Sequence, residues 1–158
     1  MMKKLKKLCF VVLACVCTLL MTGCGEKNVE GTLEDLMTKV YADIPQENRP
    51  MMLENIEVNE ENIEYYLGTS DIEYESALAS ESGIGSIAHS VVLVRTKKNA
   101  DVESIKTKIK ESINPNKWIC VGVDEKDVIV ENKGDLIILI LVENSDNRES
   151  SKNAFDNL

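Results

Sequence analysis

Histidine, serine and cysteine are the side chains of this sequence with the chemistry to act as a base or a nucleophile. His89 is the single histidine among the 158 residues, and Ser86 and Ser90 lie close to it in the sequence. A serine or thiol nucleophile needs an imidazole base within hydrogen-bonding reach. Cys120 with His89 is the thiol version of the same pairing. No nucleophile-elbow motif surrounds either serine, so the sequence predicts no catalytic residues.

Metal and cofactor sites are equally unsupported by the spacing of possible ligands. A zinc site needs three or four nitrogen or sulfur ligands, which His89 and Cys120 alone do not supply. No Asp-x-Asp-x-Asp calcium loop is present. The Gly83-Ile84-Gly85 stretch lacks the third glycine and the strand–loop–helix context of a phosphate-binding loop. We therefore expect a turn there, and no metal or cofactor.

Helices are predicted where apolar residues recur at helical spacing behind a capping residue. One begins after Thr32 and ends before Pro45, and a second begins after Asp101 and ends before Asn114. A brief helix over residues 60–67 is closed by Gly68, and a last helix is expected within residues 145–158. Of the adjacent rings Tyr65 and Tyr66 in the brief helix, one is predicted to be buried and the other exposed.

Strands are predicted where β-branched and apolar residues run together between turn signals. The expected strands cover residues 56–58, 72–80, 89–96, 117–123, 128–130 and 136–142. The last of these contains no polar residue, which indicates cover on both faces or a partner on one. The fold class predicted is α+β, an antiparallel sheet of about four or five strands with the helices after Thr32 and Asp101 packed on it.

Two apolar stretches leave alternatives open. Met51-Met52-Leu53 is interpreted as core cover, and the alternative is a surface patch for a partner, since methionines adapt to varied surfaces. Cys120 is interpreted as a small buried hydrophobe in the strand over residues 117–123. Its alternative is pairing between molecules, because a lone cysteine in an exported domain has no internal partner.

The N-terminus has the pattern of an export signal. Lys3, Lys4, Lys6 and Lys7 precede residues 8–21, which carry no charge. That stretch has the length of a secretory apolar region and is shorter than the ~20 residues of a membrane-spanning helix. The alternative is an uncleaved, tilted helix. Processing would leave residues 24–31 as a short polar tether ahead of one domain over residues 32–158.

The residues Leu20-Met21-Thr22-Gly23-Cys24 resemble the lipobox of bacterial lipoproteins, with Met21 where leucine is usual. The resemblance implies that residues 1–23 are a lipoprotein signal peptide and that Cys24 receives diacylglycerol and a fatty acyl chain such as palmitate. The protein is then held at the extracytoplasmic face of the cell membrane by its lipid. Val12-Leu13-Ala14-Cys15 is a rival lipobox, with Cys15 as the acceptor.

Charge excludes some classes of partner. The formal charge of −9 comes from 18 basic and 27 acidic residues. Removing the four lysines of the signal leaves 14 basic residues against 27, or −13. A strongly acidic domain is unsuited to nucleic acid and to broad contact with an anionic membrane surface. Aromatic residues make up only 4% of the chain, so a stacking platform is not expected either.

Three blocks of the sequence within the predicted domain resemble one protein family. The blocks are Ala88-His89-Ser90-Val91-Val92-Leu93-Val94, Asn114-Pro115-Asn116-Lys117-Trp118-Ile119-Cys120-Val121 and Gly134-Asp135-Leu136-Ile137-Ile138. The family they resemble comprises small Gram-positive lipoproteins with a domain of unknown function. The resemblance spans about residues 33–155 and implies an exported, lipid-anchored α+β domain without an assigned activity.

The function predicted is a non-catalytic binding or accessory module for a protein or small-ligand partner. The alternative is a cell-envelope enzyme, hydrolytic or thiol-dependent, that uses His89 and Cys120.

Overall fold

The computed structural model describes residues 28–158. This part of the chain forms five strands and four helices. The strands are β1 (Leu53–Glu57), β2 (Tyr74–Ser82), β3 (His89–Thr96), β4 (Ile129–Lys133) and β5 (Leu136–Val142). The helices are α1 (Leu33–Val40), α2 (Ile63–Leu67), α3 (Val102–Ser112) and α4 (Ser145–Asp156). The predicted α+β class is therefore confirmed.

All neighbouring strands of the sheet are antiparallel, in the order β1-β2-β3-β5-β4. β3 occupies the middle position and pairs with β5 through Val92 and Leu139. β4 and β5 form a hairpin that turns at Gly134, and this glycine has a φ of 59°. The turn thus uses the left-handed conformation that glycine tolerates best.

The apolar strand β5 is covered on both faces, which is the first of the two alternatives that its sequence left open. Successive side chains of a strand point to opposite faces. Leu136, Ile138, Ile140 and Val142 pack with α1 and Phe155 of α4, on what we call the α1 face. Ile137, Leu139 and Leu141 pack with α2 and α3, on what we call the α3 face. Two layers of helix therefore account for seven consecutive apolar residues.

Helices α1 and α3 begin at the predicted capping residues. Thr32 Oγ1 accepts a hydrogen bond of 3.2 Å from the Asp35 amide, and an Asp101 carboxylate oxygen accepts one of 3.0 Å from the Ser104 amide. Each bond satisfies an amide that has no partner within its own helix. α1 ends at Val40, earlier than Pro45, but the turn that follows still buries Tyr41 and Ile44.

The strand predicted over residues 117–123 is wrong. The segment crosses the α3 face and pairs with no strand of the described sheet. Trp118 and Val123 are buried, but Cys120 has a φ of 60°, which an extended strand does not allow. Cys120 is exposed, so its interpretation as a buried hydrophobe is also wrong.

Residues 1–23 and Cys24 lie outside the described residues, as does the rival acceptor Cys15. The signal peptide, the lipid anchor and the membrane location consequently stay predictions. Within residues 28–158, no helix combines the length and the apolar character needed to cross a membrane.

Candidate functional site: an apolar patch above a buried lysine

The large hydrophobic side chains that are exposed in the described chain gather at one end of the sheet. Met51, Met52 and Ile119 are 69%, 63% and 70% exposed, and Tyr65 is exposed as well. The expectation that Met51 and Met52 cover the core is wrong. β1 begins only at Leu53, opposite Ser82 where β2 ends, so the two methionines extend past the last strand pair. We call Met51, Met52, Tyr65 and Ile119 the end patch.

The turn between β2 and β3 ties Met51, Met52 and Ile119 together. The Gly83 amide donates to the Met52 carbonyl at 2.8 Å, and the Ile119 amide donates to the Gly85 carbonyl at 2.8 Å. A hydrogen bond from Ser82 Oγ to the Met51 carbonyl, also 2.8 Å, adds a third tie. Residues that are far apart in the sequence thereby flank one short turn.

Two residues in or next to the end patch have an unusual backbone conformation. Met52 has a φ of 52° and Cys120 a φ of 60°. Positive φ is uncommon for residues with bulky side chains and costs on the order of 1–3 kcal/mol. Such conformations concentrate at binding and switch regions. Here they coincide with the exposed apolar side chains of Met52 and Ile119, and no local sequence signal predicts them.

Beneath the end patch, Lys117 forms a buried salt bridge with Glu81. Lys117 Nζ lies 2.7 Å from Glu81 Oε2, and the two side chains are only 4% and 7% exposed. The same ammonium group lies 4.1 Å from the ring centre of Tyr65, 4.7 Å from that of Tyr66 and 5.1 Å from that of Trp118. Three aromatic faces and one carboxylate therefore surround the ammonium group. This arrangement stabilises the positive charge although it is shielded from water.

The second oxygen of Glu81 completes this cluster. Glu81 Oε1 accepts hydrogen bonds from Tyr65 Oη at 2.7 Å and from Trp118 Nε1 at 3.1 Å. Burial lowers the pKa of Lys117, and the Glu81 charge opposes that change. Burial, and then the Glu81 charge, raise the pKa of Tyr66 to about 12. The cluster holds the segment around Lys117 on the sheet and fixes Ile119 two residues later.

The predicted arrangement of Tyr65 and Tyr66 is confirmed, with Tyr66 buried and Tyr65 exposed. Their rings meet edge to face with centres 4.9 Å apart. The buried position of Lys117 was not predicted from the sequence. A lysine beside Trp118 reads as a surface residue unless the carboxylate of Glu81, 36 positions earlier, is known to face it.

His89 lies on the α1 face, where it is not available to Ser90 or Cys120. Its Nε2 is 2.8 Å from Tyr41 Oη, the ring is buried, and burial lowers its pKa to about 4. Ser90, the next residue on the strand, points to the α3 face and accepts a hydrogen bond from Lys117. Cys120 belongs to the segment that crosses that same α3 face. The sheet therefore separates His89 from both Ser90 and Cys120.

At the other end of the sheet lies a groove of about 720 Å³, lined by the N-terminal segment, the start of β2 and Arg95. Its lining is rich in carboxylates, but the Arg95 side chain is engaged by Asp135 and by backbone carbonyls. Within residues 28–158, no three histidine, cysteine or acidic side chains come together in a way that would hold a metal ion.

No protein-family model, curated protein or solved structure was found to match this chain. The resemblance of the Lys117-Trp118-Ile119-Cys120-Val121 block to a lipoprotein family thus stays a prediction.

Proposed function

We propose that this protein is a lipid-anchored, extracytoplasmic binding module that acts without catalysis and presents the end patch to a partner. The observation that carries the proposal is the end patch itself, in which Met51, Met52 and Ile119 are each more than 60% exposed. Exposed apolar side chains that gather in one place on a monomer often mark an interaction surface. A scattered distribution would carry no such meaning.

The support beneath the end patch favours recognition over a chance exposure. Lys117 and Glu81 hold the Trp118–Ile119 segment, and hydrogen bonds from the turn hold Met51 and Met52. A surface that is ordered before binding loses less conformational entropy when the partner arrives. The methionines add a flexible rim that adjusts to the shape of the partner.

The anchor is tested by mass spectrometry of the mature N-terminus, together with the variant Cys24→Ala. We expect a diacylated or triacylated Cys24 in the parent and loss of lipid in the variant, because no other residue of the lipobox carries a thiol. Two or more acyl chains, at about 0.8 kcal/mol per buried CH₂, make membrane attachment durable. Cys15→Ala is the matched control and should keep the lipid. An unchanged membrane fraction for Cys24→Ala would contradict the anchor.

A further inference from the structure

We infer that the end patch is turned away from the membrane and docks another envelope protein, one that offers an apolar side chain within a basic surround. This inference rests on the proposed lipid anchor and adds to it a direction and a class of partner.

The point where the chain enters the fold defines the direction. Arg95 Nη1 donates to the Val29 carbonyl at 2.6 Å, and Arg95 Nη2 donates to the Gly31 carbonyl at 3.1 Å. A salt bridge of 3.0 Å to Asp135 holds the guanidinium group in place. The N-terminal segment is consequently fixed at the end of the sheet where β3 finishes.

The end patch lies at the opposite end of the same strands. β3 begins at His89, beside the turn that carries the patch, and reaches Arg95 six residues later. At about 3.3 Å per residue, the two ends are roughly 20 Å apart along β3. Five residue steps join Cys24 to Val29, and fully extended they reach at most about 18 Å. A lipid on Cys24 therefore keeps the Arg95 end within reach of the bilayer, and repulsion between the acidic domain and anionic headgroups favours the orientation in which the end patch faces away.

Charge argues against a second copy as the occupant and in favour of a basic partner. With the signal removed, each chain carries 14 basic and 27 acidic residues, or −13. Two such chains repel each other at long range, and anionic lipid headgroups repel each of them. A positively charged partner is attracted by the same field, which raises its association rate and makes it sensitive to salt.

The composition of the end patch indicates which part of the partner it receives. Tyr65 is exposed while the Lys117 ammonium group lies over its ring, and Ile119 and Met52 flank the turn. Large side chains at the centre of an interface supply most of the binding energy. The complementary element is therefore an aliphatic or aromatic anchor of the partner. Lysine or arginine around that anchor would meet exposed carboxylates such as that of Glu54, which pairs with Glu81 across β1 and β2.

Photo-crosslinking in intact cells tests the inference with the full, lipidated chain. A photoreactive amino acid replaces Ile119 in one version and Glu75, which is exposed near the Arg95 end, in another. We expect the Ile119 probe to form an adduct with a different, basic protein and the Glu75 probe to form none with that protein. Added salt should lower the yield of the adduct.

Substitutions in the same probe-bearing chain show whether the patch makes the contact. Met52→Glu should lower the adduct about tenfold, which corresponds to the loss of one well-packed apolar contact. Thr107→Glu on the exposed face of α3 adds the same charge and should leave the yield unchanged. Equal losses of adduct in both variants would overturn the inference. They would show that the added negative charge lowers the yield, whatever its position, and that contact with the end patch does not decide it.

The nature of the adduct separates the remaining outcomes. An adduct of twice the chain's own mass, or one with lipid, overturns the inference while leaving a binding role for the end patch. Equal capture of the same protein by the Glu75 probe overturns the proposed direction. No adduct at Ile119 overturns both the inference and the proposed function, whereas the mass of the Cys24 peptide tests the anchor independently.

Discussion

At the scale of single residues, Lys117 and Glu81 are held in a way that makes each depend on the other. Removing two charges from water costs several kcal/mol per ion, and their attraction offsets this cost only with good geometry and further hydrogen bonds. Both conditions are met, because the 2.7 Å bridge is supplemented by Tyr65, Trp118 and Ser90. The main effect of the pair is therefore to hold the segment that carries Ile119 in one position. Its net contribution to stability is small.

Breaking one side of this pair should destabilise the fold more than removing both charges. We expect Lys117→Met to lower the free energy of unfolding by about 3–5 kcal/mol, because it leaves Glu81 as an unpaired buried charge. Adding Glu81→Gln should recover most of that loss, since the amide oxygen still accepts from Tyr65 and Trp118. Urea unfolding, followed by the fluorescence of the single tryptophan, measures both values.

The matched control for this prediction is Lys152→Met. Lys152 pairs with Glu131 and Asp156 at the surface, where ion pairs contribute little. An equal loss of stability in Lys117→Met and Lys152→Met would contradict the structural role assigned to the buried pair.

His89 should make stability depend on pH. Burial lowers its pKa from 6.5 to about 4, so the unfolded chain takes up a proton at this residue before the folded protein does. The contribution of His89 is complete above pH 6.5 and is lost as the pH falls toward 4. Between pH 7 and pH 5 we expect a loss of about 2 kcal/mol from this residue.

The variant His89→Gln isolates this contribution from that of the many carboxylates. It keeps a hydrogen-bonding group for Tyr41 but has no proton to bind in that range. Chemical denaturation at pH 7 and pH 5 should therefore show a smaller loss in the variant than in the parent. Equal losses in the two proteins would mean that His89 is open to solvent in the folded state.

At the scale of elements, the close approach of α2 and α3 on the α3 face depends on a glycine. Gly68 ends α2 with a φ of 77°, and a Cβ atom built there would lie 2.4 Å from the Ser112 carbonyl carbon at the end of α3. The position thus combines a left-handed conformation with backbone contact. Both requirements exclude a side chain.

Gly68→Ala should consequently lower the free energy of unfolding by about 2–4 kcal/mol, through strain and the separation of the two helices. Gly83→Ala is the matched control, since a Cβ at Gly83 meets Met52 at ordinary distances from 3.6 Å. Its effect should be small. Thermal or urea unfolding of the two variants compares them directly, and similar losses would contradict the role given to Gly68.

At the scale of the whole molecule, the two ends of the sheet differ in what they hold. Arg95 fixes the N-terminal segment at one end, and the turn between β2 and β3 displays the end patch at the other. The helices on both faces bury β5 completely, which leaves the ends of the sheet as the places where apolar side chains meet solvent. The acidic composition of the chain underlies the proposal of a basic partner.

Most of the regular structure was predictable because it depends on neighbours in the sequence. The caps Thr32 and Asp101 and the apolar strand β5 each carry their signal within a few residues, and all three are confirmed. The segment over residues 117–123 misled prediction because its apolar run resembles a strand. Its path depends instead on the burial of Trp118 and Val123 on the α3 face and on the positive φ of Cys120, which its sequence neighbours do not signal.

The sequence by itself determined the α+β class, the positions of the helices and the apolar strand β5, since hydrophobic periodicity and capping are local properties. It also carries the lipobox that predicts the anchor at Cys24. The tertiary structure alone decided that Lys117 is buried against Glu81, that the sheet separates His89 from Cys120, and that Met52 and Ile119 flank one turn. These relations join residues tens of positions apart, and only the packing of helices onto the sheet brings such residues together.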